Sequence, residues 1–436
     1  MKITLKNGID KKFYKFLSDL YNPFLSIQHL HDRFQYTVFG EGVSYPIGLV
    51  SVNKGKNTFM QIALIPDLQA SGIGRIVLGE LIKATKLKRI GWSCEKNNYP
   101  SLKLLCSLGG GVTENSVKQK KKKTFEGFFY SDKPVSKKLR EVATSQLENA
   151  QREYKKWKQE IYMRRTAELT SLRRYLLSYV PIVDIHSHQI TQESTDAEFL
   201  PEEIRQLISY PDAAPVIKYR LTMGVPDCAR NITKINDEIL AFCKDRKQCL
   251  PVAILEDNTN VSAMLEKGCL LFKEHVYGQR LLKANNGGLA NISSERLRRY
   301  RELAKAGVPL LVHIGPNSLD RVSFISSKVP TLKIIIAHLG SPMDGKKTFD
   351  ATLKDLERLG EFSNVSFDCS AINDIKVVET AIKIISASRL LWGSDFPYET
   401  PQKSIDRLIG AFCLSIEDLV KMLSANALNL LRIPET

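Results

Sequence analysis

Histidine is scarce in this chain. There are seven in 436 residues, and five of them, His186, His188, His275, His313 and His338, lie beyond residue 180. Each sits at the end of, or just past, a short apolar run: PIVDIH, LLFKEH, LLVHIG and IIIAHLG. His186 and His188 are two apart in VDIHSH, and on a strand positions i and i+2 share a face. Both imidazoles can then meet one ion. His313 closes LLVHIG, and Asp395 closes LLWGSDFP. Three imidazoles and a carboxylate suit Zn²⁺ with one position open to water, and Fe²⁺ and Mn²⁺ accept the same donors. Lys273 and His275 share a face of LLFKEH, placed to bind a substrate carboxylate or to hold structure. The competing reading is a set of histidines that only satisfy hydrogen bonds in a core.

These residues need elements that bring them together. From residue 178 onward, apolar runs alternate with helical patterns. The runs are PIVDIH, LPVAIL, CLLFKEH, VPLLVHIG, LKIIIAHLG, VSFDCS and RLLWGSDFP, with a further strand expected near LTMGVPDCARN. ERLRRYRELAKAG is the clearest of the intervening helices. Repeated β-α units of this length predict an eight-stranded (β/α)8 TIM barrel over 178–436. Barrel active sites form at the C-terminal strand ends, where all five histidines fall.

At DIHSH, FKEH, VHIG, AHLGSP and GSDFP the sequence resembles the amidohydrolase superfamily, in particular the amidohydrolase-related, aminocarboxymuconate-semialdehyde decarboxylase-like group. The resemblance implies that His186, His188, His313 and Asp395 hold a divalent metal, most simply Zn²⁺. It places His338 beside the reacting water or the substrate, and makes Asp395 and His338 the catalytic pair. The implied reaction is hydrolysis of an amide, lactone or related bond in a small molecule. Non-oxidative decarboxylation is the alternative, because one metal site serves both.

Residues 1–130 mix strand and helix patterns. GVSYPIGLVSV and TFMQIALI read as two strands joined by the turn NKGKN. SGIGRIVLGELIKATK reads as a helix with a glycine-rich start. Gln69, Ala70, Ser71, Gly72, Ile73 and Gly74 form a turn whose backbone N–H groups suit phosphate. This stretch, with Asn98-Tyr99-Pro100-Ser101 and LKLLCSLGGG, resembles the GNAT acetyltransferases. The resemblance implies that Gln69 to Gly74 bind the pyrophosphate of acetyl-CoA and that Asn98 lies near the pantetheine arm. Many members carry a tyrosine acid where this chain has Cys106, so transfer here would rest on proximity. A regulatory CoA-binding module is the alternative.

Residues 131–177 are rich in Lys, Arg, Glu and Gln and read as a helical connector, with a homo-oligomerising coiled coil as the alternative. The fold class expected is thus α/β: a small GNAT-like domain, a helical connector and a C-terminal TIM barrel of amidohydrolase type. The net charge is +16, of which residues 1–177 carry +17 and the remainder −1. A basic first part suits a polyanionic cofactor such as acetyl-CoA. A nucleic-acid-binding protein is a rival reading, against which stands the lack of a helix-turn-helix, zinc-finger or RNP-like pattern. A catalytically dead scaffold is another. No long apolar run predicts a membrane span, and no leader pattern opens the chain, so a cytoplasmic protein is expected. The eight cysteines form no CxxC pair and read as reduced, mostly buried thiols.

Overall fold

The computed structural model describes residues 2–21, 33–53, 60–69, 71–85, 89–95, 103–104, 124–130, 151–152, 154–156, 166–189, 217–225, 231–275, 292–314, 319–340, 349–411 and 414–434. The chain divides into two compact units, Met1–Tyr179 and Val180–Thr436.

The first unit runs β1 (Ile3–Asn7), α1 (Lys11–Tyr21), β2 (Arg33–Gly40), β3 (Pro46–Asn53), β4 (Met60–Leu64), α2 (Ile73–Thr85), β5 (Arg89–Glu95), β6 (Thr124–Tyr130) and α3 (Thr166–Leu177). Strands β1 to β4 form an antiparallel sheet in chain order, and β5 pairs antiparallel with β6. The β3–β4 pair is the one expected from sequence; the turn residues 54–59 lie outside the described residues. Helix α1 starts at Asp10, whose Oδ1 accepts the backbone N–H groups of Lys12 and Phe13 at 3.0 Å each. Phe13, Leu17 and Leu20 recur at helical spacing and are buried. Against this face stacks Tyr175 of α3, with ring centroids 6.0 Å from Phe13 and 5.2 Å from Phe16. Its hydroxyl donates to Asp10. The C-terminal end of the expected connector is therefore built into the first unit, because Leu169, Leu172, Tyr175 and Leu176 give it an apolar stripe to bury. The most basic segment of this unit, KQKKKK at 118–123, lies outside the described residues.

The second unit is the barrel. Its strands are β7 (Ile182–His188), β8 (Ile217–Met223), β9 (Cys249–Ile254), β10 (Leu271–His275), β11 (Leu310–His313), β12 (Ile334–Ile336), β13 (Val365–Asp368) and β14 (Leu390–Leu391). All eight hydrogen-bond in sequence order, each parallel to the next. The sheet closes on itself: Ile185 N donates to Trp392 O at 3.2 Å, Asp395 N to His186 O at 2.7 Å and His188 N to Phe396 O at 2.6 Å. This seam brings the first and last strands side by side. The second strand starts earlier than LTMGVPDCARN suggests, since Lys218, Tyr219 and Arg220 interrupt its apolar pattern.

Between the strands lie α4 (Ile232–Lys244), α5 (Val261–Glu266), α6 (Ser294–Ala306), α7 (Leu319–Lys328), α8 (Phe349–Gly360) and α9 (Ile375–Ile385); α10 (Pro401–Ile409), α11 (Ile416–Val420) and α12 (Asn426–Leu431) follow β14. Helix α6 shows why sequence marks such elements well. Ser293 Oγ accepts Arg296 N at 2.9 Å at its start, and Gly307 ends it at φ +69. One apolar cluster joins Val183, Ile185, Leu221, Val252, Leu271, Leu311, Ile335 and Leu391 of the strands with Ala427, Leu428 and Leu431 of α12. Cys243, Cys249, Cys269 and Cys369 are free thiols. Among the described residues, no helix is long and apolar enough to cross a membrane.

Candidate metal centre

Strand β7 carries VDIHSH, and its pairing with β8 shifts register between Asp184 and Ser187, at the histidine pair. Such irregularities re-aim side chains. His186 and His188 come to lie with ring centroids 5.2 Å apart. Asp184 serves the seam: its Oδ1 accepts His186 N at 3.2 Å and Ser394 N at 2.9 Å, and its Oδ2 accepts Ser394 Oγ at 2.6 Å. Across the seam Asp395 sits at φ +58, a left-handed conformation that Asp tolerates better than most residues. Gly393 has to be glycine here, because a Cβ would stand 2.5 Å from His186 Cβ and 3.2 Å from Asp368 Oδ1.

His186 Nε2 and His188 Nε2 each lie 3.5 Å from Asp395 Oδ1. Zn²⁺ bonds of about 2.0–2.2 Å in a tetrahedron separate neighbouring donors by roughly 3.4 Å. These three residues each offer a donor atom within 4.8 Å of the others, all buried. Asp395 Oδ2 and His313 Nε2 are buried with no hydrogen-bond partner among the described residues. Orphaned acceptors beside a converged donor set fit a cation. The tautomer of His188 is fixed in the same sense, since its Nδ1 faces Gly224 O at 3.0 Å and leaves Nε2 as a lone pair.

His313 lies one ring away from this trio. Its Nδ1 meets His275 Nε2 at 2.6 Å, and its ring packs edge-on to His338 at 4.9 Å between centroids. His338 follows β12 in a tight turn where it and Leu339 both adopt positive φ, +54 and +53. Such backbone costs on the order of 1–3 kcal/mol per residue and collects at functional sites. The turn sets the His338 ring 4.9 Å from that of His186. Lys273 Nζ reaches into the trio, 2.8 Å from His186 Nε2 and 3.5 Å from His188 Nε2. Glu274, between Lys273 and His275, faces away and pairs with Arg296, Arg321 and Tyr300.

Burial, then the Lys273 charge, holds His186 well below the usual 6.5, and the same two causes lower His188. Burial also lowers His275, His313 and His338. Burial alone would raise Asp395, but His338 and His188 outweigh it and keep the carboxyl below 3.8. Neutral imidazoles around an ionised carboxylate are the protonation states a divalent ion requires.

Two residues that sequence reasoning left without a role stand in the middle of this site. Asp368 ends β13 and faces His186 Nδ1 at 2.5 Å, and Ser370 lies between Asp368 and His338. Burial pushes the Asp368 carboxyl up to about 7. The available signal was the one that marked the histidines: a polar residue ending an apolar strand, here VSFDCS.

The glycine-rich turn expected to bind pyrophosphate lies in the first unit. Gly72 has φ +94 and, with Ser71, is exposed; Ile73 opens α2, followed by Gly74. Ser71 Oγ donates to Leu68 O at 2.6 Å, and Gln69 takes part in bonds with Leu64 O at 3.4 Å and Tyr154 OH at 3.2 Å. Ala70, Asn98 and Cys106 lie outside the described residues.

Residues 271–433 match the amidohydrolase family. The amidohydrolase match runs from β10 to the C-terminus of α12. It includes Lys273, His313, His338, Asp368 and Asp395, and stops short of His186 and His188. No curated protein matches the chain. Among solved structures, 2,6-dihydroxybenzoate decarboxylase from Rhizobium is 17% identical, covering 58% of this chain and 99% of that one, with a TM-score of 0.47. A dihydroxybenzoic acid decarboxylase from Polaromonas, with bound manganese, is 17% identical over 59% and 98% of the two chains, with a TM-score of 0.46. A probable 2-pyrone-4,6-dicarboxylic acid hydrolase from Acinetobacter baumannii is 15% identical over 58% and 100%, with a TM-score of 0.47.

Proposed function

We propose that the barrel is a metal-dependent hydrolase acting on an amide, lactone or related bond of a small molecule. The observation that carries this is the convergence of His186 Nε2, His188 Nε2 and Asp395 Oδ1, drawn from opposite ends of the barrel sequence, beside the unpartnered Asp395 Oδ2. His186, His188 and Asp395 would hold the ion, with His313, whose ring lies beyond that of His338, as the further ligand the sequence names. A divalent ion there would supply Lewis acidity, polarising a carbonyl and bringing the pKa of water down to about 7.

The chain's own residues do the rest. Asp395 Oδ2 is a buried proton acceptor, and what it accepts it can return to the leaving group. His338 spends Nδ1 on Ser370, which leaves Nε2 free to bond the nucleophile or the developing oxyanion. Lys273 offers a buried cation to a substrate carboxylate, and His275 steadies His313.

Metal analysis of the purified protein tests the reading. Zn²⁺, Mn²⁺ or Fe²⁺ is expected with the wild type and lost in His186→Ala. Losing several kcal/mol of Lewis-acid stabilisation lowers turnover of a lactone or amide panel about a thousandfold. Full activity in His186→Ala sinks it. Non-oxidative decarboxylation is the second reading, favoured by Lys273 Nζ among the donors. Release of CO₂ from aromatic carboxylates, without hydrolysis of any lactone or amide, would select it.

For the first unit we propose acetyl-CoA binding in the service of N-acetyl transfer. Its support is the order β4, glycine turn, α2, with Gly72 at φ +94 and exposed where the helix begins. Calorimetric titration with acetyl-CoA should show binding that Gly72→Val abolishes. Binding without acetyl transfer to any amine would leave a regulatory module.

A further inference from the structure

We infer that Asp368 is a positioning residue that fixes the tautomers of two imidazoles at once, His186 directly and His338 through Ser370. For its effect on metal affinity, this rests on the metal-centre reading above. The hydrogen-bond inventory decides it. Asp368 is fully buried. Its Oδ1 accepts Ser370 N at 2.7 Å, and its Oδ2 accepts Ser370 Oγ at 2.7 Å. The remaining neighbour of Oδ2 is His186 Nδ1 at 2.5 Å. A carboxylate oxygen holds a ring nitrogen at that distance only across a proton. Lys273 Nζ, a donor, lies 2.8 Å from Nε2 and makes that atom the lone pair, so the shared proton belongs to His186 as Nδ1–H.

The same proton count settles His338. Ser370 Oγ–H is spent on Asp368, so the hydroxyl oxygen meets His338 Nδ1 at 3.0 Å as an acceptor. Ser370 O meets the same nitrogen at 3.1 Å, also as an acceptor. Two acceptors require a donor between them, so His338 also carries Nδ1–H and presents Nε2.

His186, His338 and Asp368 also form a cluster of potential ligand atoms. The 2.5 Å contact rules out a shared ion between His186 Nδ1 and Asp368 Oδ2, because two donors at about 2.0–2.2 Å from one ion stand roughly 3 Å or more apart. A proton occupies that place. Gly393 removes the alternative of swinging His186 away, since the seam backbone lies directly against its Cβ.

Imidazole-ring ¹⁵N correlation spectra of the metal-free, full-length wild type test this without reference to any ion. His186 and His338, assigned by their replacement with Gln, are expected as Nδ1–H tautomers. An Nε2–H tautomer at His186 overturns the inference. The second arm is competition for Zn²⁺ against a chromogenic chelator. Asp368→Asn is expected to weaken affinity about 10- to 100-fold, the usual effect of removing a ligand's outer partner. Ser370→Ala removes the hydroxyl acceptor and keeps the backbone one, so it should leave both the His338 Nδ1–H tautomer and Zn²⁺ affinity near those of the wild type. Wild-type affinity in folded Asp368→Asn overturns the inference. Absence of Zn²⁺ binding by the wild type defeats the metal-centre reading instead, and the spectra still decide the role of Asp368.

Discussion

Lys273 poses the sharpest question at the level of single residues. Its Nζ lies 2.8 Å from His186 Nε2, so an ammonium donates to the lone pair that a divalent ion would use. Two cations cannot share one lone pair, and at 3–4 Å their mutual repulsion in a buried site is large. Lys273→Met is therefore expected to bind Zn²⁺ more tightly than the wild type in a chelator competition. If Lys273 serves a substrate carboxylate, the same variant raises KM for carboxylate substrates more than it lowers kcat. Weaker Zn²⁺ binding by Lys273→Met would show that the amine assists the ion. Sequence placed Lys273 on the same strand face as His275. It did not show that Nζ reaches the histidines of the first strand, because that depends on how far β10 sits from β7 across the barrel.

At the scale of elements, β10 divides its residues by alternation: Lys273 and His275 toward the site, Glu274 toward the helices. Glu274 ties the strand to α6 through Arg296 and Tyr300 and to α7 through Arg321, and its side chain is almost wholly buried. Burial by itself would raise its pKa, but Arg321 and then Arg296 outweigh burial and hold it below 4.5. Removing one partner of a buried ion pair strands the other charges at a cost of about 3–5 kcal/mol. Glu274→Gln should lose about that much in urea unfolding at pH 7. A depressed carboxylate gives stability that is present above pH 4.5 and lost as pH falls through the folded value. The gap between wild type and Glu274→Gln should therefore narrow in acid. A gap that is constant with pH would mean that packing, and not charge, accounts for the loss.

Over the whole molecule, the charge asymmetry and the two compact units coincide: the basic surplus belongs to residues 1–177. The candidate metal residues His186, His188 and Asp395 all lie in Val180–Thr436, so an ion bound there would stabilise that unit alone. At 100 times its dissociation constant, a ligand adds about 2.7 kcal/mol, worth roughly 5–10 °C in a unit of this size. Scanning calorimetry should show two transitions, of which only one moves with added Zn²⁺. Acetyl-CoA should move the other. A single transition that shifts with both ligands would show the units melting as one.

Most of the barrel was readable in the sequence because β-α alternation and apolar strand runs are local signals. Ser293 and Gly307 mark α6 in the sequence as plainly as in the fold. The weak β8, broken by Lys218, Tyr219 and Arg220, was displaced for the same reason: its pattern is poor. Residue types and strand-end positions also nominated His186, His188, His313, His338 and Asp395. Tertiary structure alone decided which of them meet. It put three donors within 4.8 Å and left His313 bonded to His275. It also brought Asp368 and Ser370 into the site. Those distances follow from barrel closure, the seam between β7 and β14 and the left-handed turn at His338, and closure is a property of all eight strands together that no single segment encodes.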